Sequence, residues 1–225
     1  MVRRGARRHL VSAPLLALGI TVAGCSASAP SPPTGVDTLE IPTPSPEPAD
    51  FVAEVDNRWL PLPVGAEWVY AVTGEPSSYQ VRVTVSEGPE VLGVATTAVR
   101  TEPLVGEDEL VTTTPGTDWY AQDIEGNVWW FGSEDGWRAG EAGAEAGLVM
   151  AAEPRFGDGY RMAVAGGLDV RAEVTGVDGA GTVELEVYRG ENSRTEEYAA
   201  GIGLQSWSST GVGTSGSLQR SDLDG

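Results

Sequence analysis

The chain has 225 residues, 33 of them acidic against 14 basic, and a formal net charge of −19. Every basic side chain is an arginine, and there is one histidine (His9) and one cysteine (Cys25). A charge this negative meets phosphate backbones and anionic head groups with repulsion, so no nucleic-acid partner is expected.

Residues 1–24 read as a lipoprotein signal peptide. Arg3, Arg4, Arg7 and Arg8 form a basic start, followed by an apolar stretch from Leu10 to Ala23 broken by Ser12, Pro14, Gly19 and Thr21. That stretch is shorter than the ~20 residues of a membrane-spanning helix. It ends in Val22-Ala23-Gly24-Cys25, which resembles the lipobox of exported bacterial lipoproteins, with small residues before the cleavage point. Cys25 is therefore the expected lipidation site, its thiolate taking a thioether-linked diacylglycerol. The membrane is the expected partner through that lipid, and the extracytoplasmic face of the cell membrane the expected location. Arg7-Arg8-His9-Leu10-Val11 also resembles a twin-arginine export motif.

Residues 25–50 read as the anchor and a disordered linker. Pro30, Pro32, Pro33, Pro42, Pro44, Pro46 and Pro48 favour extended polyproline II. At about 3.1 Å per residue the linker reaches roughly 70–80 Å from the lipid.

Loss of residues 1–24 removes His9 and four arginines, leaving 10 arginines against 33 acids, a net charge of 10 − 33 = −23. With Cys25 acylated, neither an imidazole nor a free thiol remains. That excludes Ser-His-Asp and Cys-His catalysis, zinc sites built on His or Cys, haem ligation by His, and disulfides. The expectation is a protein that is not an enzyme, with no catalytic residue, no metal and no cofactor.

Residues 51–209 read as one all-β domain. Tyr79-Val81-Val83-Val85, Leu168-Val170-Ala172-Val174 and Val183-Leu185-Val187 alternate with polar residues, the period of strands with one buried face. Further strands are expected at 67–72, 91–100, 109–114, 118–122, 128–131, 159–164 and 204–208. Turns fall at Gly74-Glu75-Pro76, Glu125-Gly126-Asn127, Asp135-Gly136, Asp178-Gly179 and Gly201. Such spacing predicts an antiparallel meander curled into a barrel, a half-barrel or a sandwich. Gly140, Gly143 and Gly147 argue against a helix over 139–152 and for a loop entering a short strand at 148–150, usable as a flap over a pocket. The Gly- and Ser-rich residues 210–225 read as a flexible tail.

Trp119, Tyr120, Trp129, Trp130, Phe131 and Trp137 are the candidate binding residues. A hairpin turning at 123–127 pairs Trp119 near Phe131 and Tyr120 near Trp130, placing rings on both faces of the sheet. These rings serve either as core and cross-strand packing or as a platform for a ligand. Asp123, Glu125 and Asn127 superficially suggest a calcium loop, but the longer ligand run and distal bidentate Glu of such a loop are missing. A hairpin turn using Gly126 and Asn127 at positive φ is the simpler reading. Asp118 and Asp123 are the carboxylate pair nearest the aromatics for a glycoside hydrolase, with nothing to fix their separation. Glu107-Asp108-Glu109 reads as a solvated loop.

Asp118-Trp119-Tyr120-Ala121-Gln122-Asp123 followed by Gly126-Asn127-Val128-Trp129-Trp130-Phe131-Gly132 resembles the signature of a family of uncharacterised exported bacterial proteins, many of them lipoproteins. Leu60-Pro61-Leu62-Pro63-Val64-Gly65-Ala66-Glu67-Trp68-Val69-Tyr70, Val91-Leu92-Gly93-Val94, Gly157-Asp158-Gly159-Tyr160 and Gly201-Ile202-Gly203-Leu204 resemble its other landmarks. The resemblance implies an extracytoplasmic β-domain and brings no activity with it. Function is expected to be non-catalytic binding of a cell-wall glycan, lipid or envelope protein through the aromatic face. The alternative is a carrier or sensor of an apolar or lipid ligand in a curved-sheet pocket.

Overall fold

The computed structural model describes residues 47–74, 78–104, 115–179, 181–211 and 213–223. The expected signal peptide, Cys25, the expected linker up to residue 46, the expected strand at 109–114 and the Glu107-Asp108-Glu109 loop lie outside them.

The period-two segments all form strands, and the strands form an antiparallel meander. After β1 (Phe51–Val52) come β2 (Glu67–Thr73), β3 (Tyr79–Val91), β4 (Val94–Leu104), β5 (Gly116–Asp123), β6 (Val128–Ser133) and β7 (Glu145–Met150). The second half supplies β8 (Gly159–Ala165), β9 (Leu168–Val177), β10 (Thr182–Arg189), β11 (Asn192–Ala199), β12 (Gly203–Ser209) and β13 (Ser215–Ser221). Each strand from β2 to β13 pairs with its sequence neighbour, and β13 pairs back onto β2. The result is a closed 12-stranded barrel, with β1 as a short addition beside the end of β5. Of the three architectures expected, closure selects the barrel.

Three local expectations change. The segment read as a flexible tail contains β13, whose Leu218 faces Tyr70 and whose Gly216 lies between Val72 and Trp207. Its polar sequence hides a strand held by two ladders of backbone hydrogen bonds. Residues 145–150 form a wall strand rather than a flap: Leu148, Val149 and Met150 are buried, and a Cβ at Gly147 would strike the Met162 backbone. The strand expected from Val91 is interrupted by a two-residue turn, with Leu92 at φ 54° and Gly93 at φ 78° between the paired Val91 and Val94. Both central residues at positive φ match the twist of the flanking strands.

The barrel has two unlike ends. At one, residues 53–66 cross the opening and fill it with Val55, Trp59 and Leu62. Asn57 fastens this segment. Its Nδ2 donates to Gly126 O at 2.7 Å and Ala151 O at 3.3 Å. Its Oδ1 accepts from Trp59 N and Leu60 N. Gln122 adds a second tie, accepting from Asn57 N at 2.7 Å and donating to Asp56 at 2.6 Å. On the far side of the ring Arg58 O accepts from Gly201 N. Val128, Leu148, Met150, Val174, Val183 and Leu185 are essentially inaccessible.

Asn57→Ala strips four backbone groups of their partner in a buried setting and is expected to cost about 2–4 kcal/mol. Urea unfolding midpoints measure this; a shift within error would show that the plug does not depend on Asn57.

Candidate ligand-binding lumen

Above the plug the barrel is hollow. A cavity of about 560 Å³ runs from a floor of Leu60, Pro61 and Leu62 up to the opposite rim, where Tyr79, Arg189, Ser209 and Thr214 stand. Its walls follow from the alternation read in the sequence. Val81 and Val83, Val170, and Val187 are the inward residues of β3, β9 and β10. Tyr70, Tyr120, Trp130 and Trp207 add aromatic surface.

One glycine shapes this wall. Gly216 faces Trp207 across the β12–β13 ladder, and a Cβ there would overlap the indole. The ring lies flat where a side chain would otherwise be, edge-on to Tyr70 with centroids 5.2 Å apart. Arg194 caps it from the lumen, its guanidinium 4.7 Å from the ring centre.

The charged groups are concentrated on β5, β10 and β11. Arg194 pairs with Glu196 at 2.8 Å, and Glu196 accepts the Tyr198 hydroxyl at 2.7 Å. The Tyr70 hydroxyl donates to Leu204 O at 2.9 Å. Burial pushes the Tyr70, Tyr120 and Tyr198 phenols up, so all three stay neutral. Asp118 projects into the lumen from β5, and burial raises it to about 6, against the opposing pull of the Trp130 indole N–H and the Arg189 charge.

The six candidate aromatics are brought together, but not as an open platform: none is exposed. Tyr120 and Trp130 face each other as expected, stacked with centroids 6.5 Å apart, and both line the lumen. Trp119 sits opposite Gly132 instead of Phe131, because a bulge between Trp119 and Tyr120 shifts the register by one. Trp119 is covered by Arg138, 4.9 Å from its ring, and Phe131 by Phe51, 5.1 Å between centroids. Trp129 is buried and donates to Asp123 at 2.7 Å. Trp137 packs edge-on against Trp130 at 5.2 Å.

The other candidates take structural places. Asp123 accepts from Asn127 N and Nδ2 as well as from Trp129, so its carboxylate holds the hairpin. Gly126 takes positive φ there, but Asn127 does not; its Oδ1 accepts from Ala152 N instead. Asp118 and Asp123 lie five residues apart on one strand, roughly 16 Å. That exceeds the roughly 5–9.5 Å between the carboxyl groups of glycoside hydrolases. The groups that sequence reading missed are Arg189, Arg194, Glu196, Tyr198 and Trp207. For Arg194, Glu196 and Tyr198 the one signal was the polar run of 192–199, which carries no apolar period.

No protein-family model, curated protein or solved structure matches this chain, so its chemistry has to be read from the lumen.

Two outcomes follow. Gly216→Ala pushes Trp207 into the cavity and is expected to cost about 1–3 kcal/mol, read from the thermal midpoint; an unchanged midpoint would show the wall to be loose. Asp118 holds a proton in the folded state between pH 3.8 and about 6 that the unfolded chain releases, so its contribution to stability falls as pH rises through that window. Asp118→Asn is thus expected to stabilise the protein by about 1–2 kcal/mol above roughly pH 7, discounted for water at the rim, and to have little effect near pH 4. Equal effects at both pH values would contradict this.

Proposed function

We propose that this protein is a non-catalytic binding module that holds an apolar or amphipathic small molecule in its barrel lumen, tethered through Cys25 to the outer face of the membrane. The observation that carries the reading is the lumen: about 560 Å³ of space walled by valine and aromatic side chains together with the charged groups of β5, β10 and β11. Ligand sites fall in the range of about 300–1,000 Å³ and share that make-up. An aromatic surface platform for wall glycans loses ground, because the rings that would build it are covered or turned inward. The lipobox and the proline-rich linker support the tether.

N-phenyl-1-naphthylamine, a neutral apolar dye that brightens out of water, tests this. The wild type is expected to bind it at about one molecule per chain. Val99→Trp, which puts a large ring into the lumen, is expected to lower the affinity at least about tenfold, as loss of about 1.4 kcal/mol does. Equal binding by a folded Val99→Trp variant would place the dye elsewhere and overturn the proposal.

A further inference from the structure

Arg189 is out of keeping with the other arginines of the wall. On the outer face Arg82 lies 3.2 Å from Glu67, Arg100 3.4 Å from Glu102 and Arg171 3.0 Å from Asp169, while Arg220 also pairs with Glu67. In the lumen Arg194 has Glu196. Arg189 also lines the lumen, yet it has no carboxylate within ion-pair distance among the described residues. Its cross-strand neighbours explain why: Val170 on β9 and Asn192 on β11, neither of them an acid. In a chain with 33 acidic side chains against 14 basic ones, this guanidinium forms no ion pair with a described carboxylate, although the Asp118 charge across the lumen acts on it.

We propose that Arg189 receives the anionic head group of an amphipathic ligand, a carboxylate, sulfonate or phosphate, whose apolar body lies in the lumen below it. This rests on the lumen being the ligand site. Arg189 ends β10 at the rim, and Val187 one step inward continues the apolar wall. A ligand entering tail-first therefore brings its head to the guanidinium, where two parallel N–H···O bonds can form. Rim exposure keeps the head group partly hydrated and lowers the desolvation cost that a deep ion pair carries.

A cationic head group fits less well. Glu196 is taken by Arg194 and Tyr198. Asp118, on the other side of the lumen, is the remaining carboxylate, and burial disfavours its charged form. An anion meets no such obstacle at Arg189. The negative net charge of the protein works against anion capture from a distance, so a preference for anions must come from this local contact.

Two dyes with the same ring frame separate head from body: neutral N-phenyl-1-naphthylamine and anionic 1-anilinonaphthalene-8-sulfonate. The protein from Cys25 onward is titrated with each, as wild type, Arg189→Gln and Arg155→Gln. Arg155 is exposed in the β7–β8 connection near the plug and removes the same charge. Arg189→Gln is expected to weaken the anionic dye about tenfold or more and to leave the neutral dye unchanged. Arg155→Gln is expected to change neither. An anionic dye indifferent to Arg189→Gln, or an equal loss of both dyes, overturns the head-group assignment while leaving the lumen as a site. If neither dye binds the wild type, the lumen reading fails and this assignment with it.

Discussion

Twelve strands enclose more space than their own side chains can fill. A barrel of about eight strands is packed by its inward residues, and wider barrels leave room. The rest of this structure is a response to that width. At one end the gap is filled by chain: residues 53–66 cross the ring, and Asn57 and Gln122 satisfy the backbone groups that such a crossing buries. At the other end the gap is left, and it becomes the lumen. Closure itself depends on β13 meeting β2, since an open edge there would leave two strands unpaired.

The lumen is asymmetric in chemistry as well as in position. Its apolar wall comes from strands whose inward positions are valine, the residue type that suits a pleated, half-buried surface. Its polar groups cluster on β10 and β11, with Asp118 opposite on β5. Arg194 pairs with Glu196, Glu196 accepts the Tyr198 hydroxyl, and Arg194 lies over Trp207, so these side chains form one connected panel. Buried polar groups that are mutually satisfied specify a structure at little cost, whereas one left over marks a place for something else.

The sequence disclosed the architecture better than the site. Tyr79-Val81-Val83-Val85 and its two counterparts alternate cleanly because their inward face is apolar from end to end. β11 was invisible for the opposite reason: its inward residues are Arg194, Glu196 and Tyr198, so the strand that carries the lumen chemistry has no hydrophobic period to detect. β13 was hidden because the inward residue at Gly216 must be absent for Trp207 to lie flat. The aromatic cluster was found, and the Tyr120–Trp130 pairing was legible from the hairpin, but a single bulge moved Trp119 away from Phe131. Whether each ring faces solvent or lumen follows from closure of the barrel, a long-range fact that local spacing does not contain.

Native mass spectrometry of the protein, purified gently from a host related to its source, bears most directly on the lumen as a ligand site. The account predicts a reproducible added mass on the wild type that is absent from a Val99→Trp variant of normal stability. The same added mass on both proteins, or the bare polypeptide mass for both, would contradict it.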